Sequence, residues 1–151
     1  MSNSVFQTRD QKFAASAYAH IETVLKQYPK PVDKPNTEKS KEEKSIEAKY
    51  QTSRNVYGSM AHKLPILIRN AGLVQALAFA QSRDKSEINL FLEHLAITIN
   101  FTCKAQDFAA KVAELELAEY MYRTQQALDA LLWYKRFVQS ILDIDPSNAI
   151  Q

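Results

Sequence analysis

The residues best suited to chemistry in this chain form a basic row on the segment YGSMAHKLPILIRNAG (57–72). His62, Lys63 and Arg69 recur there among apolar residues. At about 100° per residue, the basic side chains fall opposite the apolar ones, and His62 lies nearly above Arg69. Such a row can follow phosphates without reading bases, so all three are predicted nucleic-acid contacts. An ordinary solvent-facing helix surface is the alternative.

A second group of candidate residues lies toward the C-terminus. Tyr122, Trp133 and Phe137, with Arg136 near them, occupy the narrower side of a predicted helix. Aromatic rings stack on the bases of single-stranded RNA and basic side chains bind its backbone, which makes Arg136 a fourth predicted nucleic-acid contact. Packing of the three rings against other helices is the competing interpretation, and it is the favoured one.

Patterns typical of catalysis and of metal binding are missing from the sequence. His20, His62 and His94 form no HExxH motif and no pair at ligand spacing. Ser59 follows Gly58 but lacks the second glycine of a nucleophile elbow, and there is no phosphate-binding glycine loop. We therefore predict no enzymatic activity, no cofactor and no metal.

The composition indicates an all-α protein. Only 2 of the 151 residues are glycine, far below the usual ~7%, and the hairpin turns of β proteins need glycine. Residues 1–72 carry a net charge of +5, whereas residues 73–151 carry −3. This asymmetry suits a subunit that meets a polyanion on one side and protein on the other.

The sequence also bears on location. No stretch approaches the ~18 consecutive apolar residues of a membrane span. The N-terminus, MSNSVFQTRDQK, lacks the basic-then-apolar order of a secretory signal. Cys103 is the single cysteine, so it has no intrachain disulfide partner, which fits a reducing compartment. We expect a cytoplasmic protein with no membrane contact.

Apolar spacing predicts a compact bundle of about six helices in one domain covering residues 1–151. The first helix runs from Asp10 to Tyr28. A connector at about 29–40, rich in proline and lysine, follows it and is predicted to be poorly ordered in the isolated subunit. The later predicted helices cover 73–82, 87–101, 107–115 and 118–143, and strand-like alternation at 96–102 leaves the end of the second of these open.

The two glycines should mark boundaries around the basic segment. A second helix that starts near Ser40 or Lys41 should yield near Gly58, which marks a bend or a close backbone approach. Gly72 occupies the position of a left-handed C-cap. Pro65 either kinks the helix or lies in its first turn after a break near 62–63.

Two stretches resemble the small helical subunit of the type III-B CRISPR effector, the Cmr complex. They are YGSMAHKLPILIRNAGLVQALAF (57–79) and LAEYMYRTQQALDALLWYKRF (117–137). The family pattern has YGS, an AHKLP run, a hydrophobic-Arg-Asn-Gly turn and a QALAF helix, then an EY…T…AL block that closes on Trp-x-Lys-Arg-Phe. Ala71 displaces the turn glycine that usually follows Asn. The connector and residues 85–116 match only in general character.

The resemblance implies an all-α, non-catalytic subunit of a ribonucleoprotein that silences target RNA. In such complexes, copies of the small subunit stack beside the backbone filament that holds the guide CRISPR RNA. They contact the backbone and large subunits and line the path of target RNA. A helical adaptor or regulator whose partner is purely protein, with no direct RNA contact, is the alternative.

Overall fold

The computed structural model describes residues 6–147. Within them the chain forms α-helices, a short 3-10 helix at Asn36–Glu38, and no strand. The α-helices are α1 (Arg9–Gln27), α2 (Lys41–Ala71), α3 (Leu73–Ser82), α4 (Ser86–Thr98), α5 (Ala105–Ala113) and α6 (Leu117–Ile141). The all-α prediction is confirmed. The first five and last four residues of the predicted domain lie outside the described part of the chain.

Helix α1 shows how local sequence and core packing agree. The Thr8 side chain accepts a hydrogen bond from the Gln11 backbone N–H at 3.0 Å, and the Gln11 side chain accepts one from the Thr8 N–H at 2.8 Å. This capping box satisfies two donors that the first turn leaves free. The predicted apolar stripe is buried, and α1 packs along α6. The stripe consists of Phe13, Ala17, Ile21 and Val24.

Helix α2 is longer than predicted. It runs without a break through Gly58 and Pro65 for 31 residues, so the predicted boundary near Gly58 is wrong. The predicted close backbone approach at Gly58 is correct, because a Cβ there would lie 2.7 Å from Cδ1 of Ile144 and 2.8 Å from Cγ1 of Val138. Pro65 lacks the N–H that would bond the Ala61 carbonyl, yet α2 continues past it to Ala71 and Pro65 is buried.

Gly72 joins α2 to α3 and has the predicted positive φ. Its φ of 90° and ψ of 163° are extended rather than left-handed helical, a region that essentially only glycine adopts. The Gly72 N–H donates to the Ile68 carbonyl at 2.8 Å, and its own carbonyl accepts from Ala76 at 3.0 Å. One residue therefore closes α2 and opens α3.

The connector is tied to the helices by polar contacts. The guanidinium of Arg54, which is 1% exposed, donates to the carbonyls of Tyr28 and Pro29 at 2.8 and 2.7 Å. Lys39 pairs with Glu47 at 3.0 Å, and the Lys39 side chain is only 5% exposed. The poor order predicted for residues 30–40 stays a prediction, but these contacts anchor both ends of that stretch.

The C-terminal half completes the core. Helix α4 ends at Thr98. Residues 99–104, which include the end of the strand-like alternation at 96–102, form no strand. After α6, Leu142 and Ile144 are again buried. The segment 142–144 therefore folds back across α2, where it borders the site considered next.

Candidate nucleic-acid interface

His62 does not lie with the other basic residues of its segment. Its side chain is buried, and Nε2 donates a hydrogen bond to the Ile144 carbonyl at 2.8 Å. Its Nδ1 is buried and has no hydrogen-bond partner among residues 6–147. The predicted exposed position of His62 is wrong, because segment 142–144 covers this part of α2. A buried imidazole is not accessible to a phosphate, so His62 lacks the exposure that its predicted nucleic-acid contact requires.

Lys63 lines a cleft of about 400 Å³. The cleft lies between the middle of α2, the turn that joins α3 to α4, and Asp143. Arg83 and Lys85 bring two further cations from that turn. Polar and apolar side chains share the rest of the wall: Gln51, Thr52, Asn55, Val56, Ser59, Met60 and Ile88. A cationic cleft with neutral polar walls is suited to an anionic ligand.

The backbone conformation of the α3–α4 turn positions Arg83 and Lys85. Arg83 caps α3 in a helical conformation, Asp84 has a φ of 49°, and Lys85 precedes α4 with extended backbone. The Arg83 guanidinium also lies 5.9 Å from the centroid of the Phe79 ring. Neither cation was predicted from the sequence, although the run SRDKS after an almost wholly apolar helix was a signal for an exposed basic turn.

The charges of the cleft are open to an external anion. In the described part of the chain, no carboxylate lies within ion-pair distance of Lys63, Arg83 or Lys85. Asp143 instead pairs with Lys30 of the connector, with 2.6 Å between Nζ and Oδ2. Three cations therefore face one carboxylate that already has a partner.

Arg69 and Arg136 lie apart from this cleft. Arg69 follows Lys63 by six residues, which places the two side chains about 120° apart around α2. Arg69 is exposed in the last turn of α2, and Arg136 is exposed on α6. Neither forms an ion pair within residues 6–147. The structure thus brings Lys63 together with Arg83 and Lys85, not with the predicted Arg69.

The aromatic residues of α6 pack mainly against α1. Trp133 donates from Nε1 to a carboxylate oxygen of Asp10 at 2.8 Å and stacks on Phe137 with 5.9 Å between ring centroids. Phe137 also meets Tyr18 edge to face at 5.5 Å. These contacts support the packing interpretation for Trp133 and Phe137. Tyr122 is 50% exposed.

A polar network in the core holds the other two histidines. The rings of His20 and His94 lie parallel, 4.1 Å apart. The Tyr134 hydroxyl is hydrogen-bonded to His20 Nδ1 at 2.6 Å and to Thr98 at 2.7 Å. The Tyr57 hydroxyl is hydrogen-bonded to His94 Nδ1 at 2.7 Å.

Burial sets the charge state of this network. It lowers the pKa of His94 to about 3, with the charge of His20 as a second cause, and it also lowers the pKa of His20. Neutral imidazoles in such a network join four helices and act structurally. Across residues 6–147 no group of three or more His, Cys, Asp or Glu residues is arranged to hold a metal ion.

These features define a small all-α protein that has a cationic cleft beside α2. No helix in the described residues is long and apolar enough to cross a membrane. Residues 9–141 match the family model of the CRISPR-associated protein Cas_Cmr5. The chain belongs to the Cmr5 family, which confirms the resemblance seen in its sequence.

A protein sequence and a solved structure, both from Thermus thermophilus, illustrate the similarity. The CRISPR system Cmr subunit Cmr5 is 39% identical over 101 residues, which are 67% of this chain and 88% of that relative. The crystal structure of a CRISPR-associated Cmr5 family protein aligns with a TM-score of 0.65 at 30% identity. That alignment covers 91% of this chain and 99% of the solved one.

Proposed function

We propose that this chain is a non-catalytic small subunit of a type III-B CRISPR ribonucleoprotein that silences target RNA. Its copies stack beside the guide-RNA backbone filament, contact the backbone and large subunits, and help to hold the target strand. Membership of the Cmr5 family and the likeness to a Cmr subunit support this assignment. The cationic cleft is the observation that carries the RNA-holding role.

The cleft is built to bind phosphates rather than to read a sequence. Lys63, Arg83 and Lys85 supply charge from one rigid helix and one short turn. Contacts to phosphate fix register and orientation but carry no sequence information. This is what a complex guided by base pairing needs from its protein.

Arg69 and Arg136 belong to the proposal as separate contacts. Both are exposed and unpaired within residues 6–147, so each is open to phosphate or to an acidic side chain of another subunit. Arg69 lies on a different side of α2 from Lys63, and Arg136 lies on α6. Neither lines the cleft, so their contacts are independent of the contact that Lys63 makes. Single alanine variants should therefore separate their effects from those of the cleft.

Binding of a labelled single-stranded RNA at several salt concentrations tests the cleft. A variant with Lys63, Arg83 and Lys85 replaced by alanine should bind more weakly, and its slope of log affinity against log salt should fall by about 0.7 for each lost phosphate contact. The control replaces Lys12, Lys26 and Lys104, exposed lysines elsewhere on the surface, and so makes the same change in net charge. Equal effects of the two triple variants would contradict a cleft-specific site.

The assembled complex gives the second readout. Copies linked in one assembly add weak contacts through effective concentration, so the loss of target-RNA affinity should be larger there than in the free subunit. The reconstituted complex with the triple variant should still assemble. A variant that fails to assemble would identify the cleft as a protein contact instead.

A protein-only adaptor remains the second candidate, and one observation favours it. Leu117 and Met121 lie one turn apart on α6 and are 73% and 62% exposed. Apolar side chains on one helix face are typical of a protein contact. An apolar contact persists at high salt, whereas RNA binding through phosphates weakens steeply. Capture of the partner subunits at high salt without RNA would favour the adaptor.

A further inference from the structure

Asp143 places a carboxylate in a cleft that otherwise collects cations. It lines the same cleft as Lys63, Arg83 and Lys85 and is the acidic residue of that lining. Its side chain is 72% exposed, so the charge is accessible to solvent and is not buried in the core. A phosphate that enters the cleft must therefore approach this negative charge.

The segment that carries Asp143 is fixed on both sides of it. Leu142 is 2% exposed and Ile144 is fully buried. The Ile144 side chain packs onto Gly58, and its carbonyl accepts the hydrogen bond from His62 at 2.8 Å. The carboxylate is thus presented by an anchored turn and not by a loose tail.

The backbone at Asp143 also supports a specific placement. Its φ is 58°, in the left-handed region that Asp and Asn adopt more readily than most residues. The carboxylate pairs with Lys30 of the connector, with 2.6 Å between Nζ and Oδ2. Lys30 therefore compensates part of the negative charge that Asp143 brings to the cleft.

We propose that Asp143 is a carboxylate of the cleft lining that repels phosphate from the cationic cleft and that Lys30 tunes this repulsion. The inference rests on the proposed RNA-holding role of the cleft. Asp143 lowers the affinity of the isolated subunit for RNA, and pairing with Lys30 limits the reduction. Single subunits then hold RNA poorly, and firm binding depends on several copies.

The test compares Asp143→Asn with Asp145→Asn in binding of a single-stranded RNA to the purified protein. Both variants remove one negative charge, and Asp145 is exposed two residues away and outside the cleft lining. Asparagine keeps the left-handed backbone at position 143. Asp143→Asn should tighten binding by about fivefold, the scale of one close charge pair in water, and Asp145→Asn should change it much less. Equal affinities of the two variants would overturn the inference.

Lys30→Ala supplies an independent arm. It leaves Asp143 uncompensated and should weaken binding more than Lys34→Ala, a neighbouring connector lysine that pairs with Glu43 instead. In the Asp143→Asn background the loss from Lys30→Ala should shrink to that of Lys34→Ala. A loss that is unchanged in that background contradicts the proposed coupling.

The triple cleft variant separates the two proposals. If it binds RNA as tightly as the wild type, the cleft is not an RNA site and both proposals fail. If it binds weakly while Asp143→Asn equals Asp145→Asn, the RNA-holding role stands and only the repulsion by Asp143 falls.

Discussion

Gly58 and Ile144 lie in such close contact that α2 has no room for a side chain at position 58. A Cβ there would stand 2.7 Å from Cδ1 of Ile144 and 2.8 Å from Cγ1 of Val138. Both neighbours are fully buried. The contact therefore locks the segment after α6 onto the middle of α2, next to the hydrogen bond between His62 and the Ile144 carbonyl.

Gly58→Ala should destabilise the protein. Alanine in a helix interior normally gains roughly 0.5–1 kcal/mol over glycine. Here the new methyl overpacks a closed contact at a cost of about 1–3 kcal/mol, so after the helix gain we expect a net loss of up to about 2 kcal/mol in the free energy of unfolding. Urea denaturation at neutral pH measures it. The double variant Gly58→Ala with Ile144→Val removes Cδ1 and should recover part of the loss; a stabilised Gly58→Ala protein would contradict the packing described here.

Acidification should destabilise the core through His94. Its folded pKa of about 3 lies below the ordinary 6.5, so the unfolded chain binds more protons as the pH falls below 6.5. Stability is then lost progressively between pH 6.5 and about 3, and at pH 5 the loss from His94 alone is about 2 kcal/mol. Urea unfolding at pH 7 and pH 5 measures the difference.

His94→Phe is the matched variant for this effect. It keeps a ring against His20 but loses the hydrogen bond between His94 and Tyr57, so it should be less stable at pH 7. The loss between pH 7 and pH 5 should nevertheless be smaller than in the wild type. An equally large loss in both proteins would assign the acid sensitivity to another group.

The helix pattern could be predicted well because burial follows local periodicity. The structure reproduces the predicted bounds of α3, and α1 shifts by a single residue at each end. The break predicted at Gly58 failed for a tertiary reason. That glycine serves a contact with α6 and the segment after it, and a sequence window around residue 58 does not contain those partners.

The candidate site was only partly predictable. His62 and Arg69 share one side of α2 by angle, yet His62 is buried and Arg69 is exposed because segment 142–144 covers only the first of them. Helical periodicity gives the angle of a side chain around the helix axis, but it does not tell which distant segment of the chain covers that side chain. Lys63 was a candidate from the sequence, whereas its association with Arg83 and Lys85 depends on how the α3–α4 turn packs beside α2.

Arg54 should prove to be a structural anchor for the connector. Replacing it with methionine removes the donors to the Tyr28 and Pro29 carbonyls and to Gln51 Oε1. We expect a loss of about 2–4 kcal/mol in unfolding free energy, since several bonds to a charged group disappear together. Hydrogen exchange at residues 30–40 should speed up.

Arg54→Lys is the control for charge at that position. Lysine keeps the cation but lacks the fork that reaches three acceptors, so this variant should also lose stability, although less. Amides of residues 30–40 should exchange faster than those of the helices even in the wild type. Protection equal to that of α2 would contradict the predicted poor order of the connector.

Trp133 should report whether RNA bases stack on α6. It is the only tryptophan in the chain, so its emission has one source. Its indole donates to Asp10 and stacks on Phe137, whereas the main proposed RNA site, the cleft, lies between α2 and the α3–α4 turn. The separate contact proposed for Arg136 on α6 is to phosphate, not to bases. Binding of single-stranded RNA, followed independently by anisotropy of a labelled strand, should therefore leave the emission of Trp133 nearly unchanged. Asp10→Ala, which breaks the indole hydrogen bond, should shift the emission without altering RNA affinity. Strong quenching that saturates with RNA binding, and is lost in Trp133→Phe together with affinity, would show instead that this ring is a stacking platform for bases.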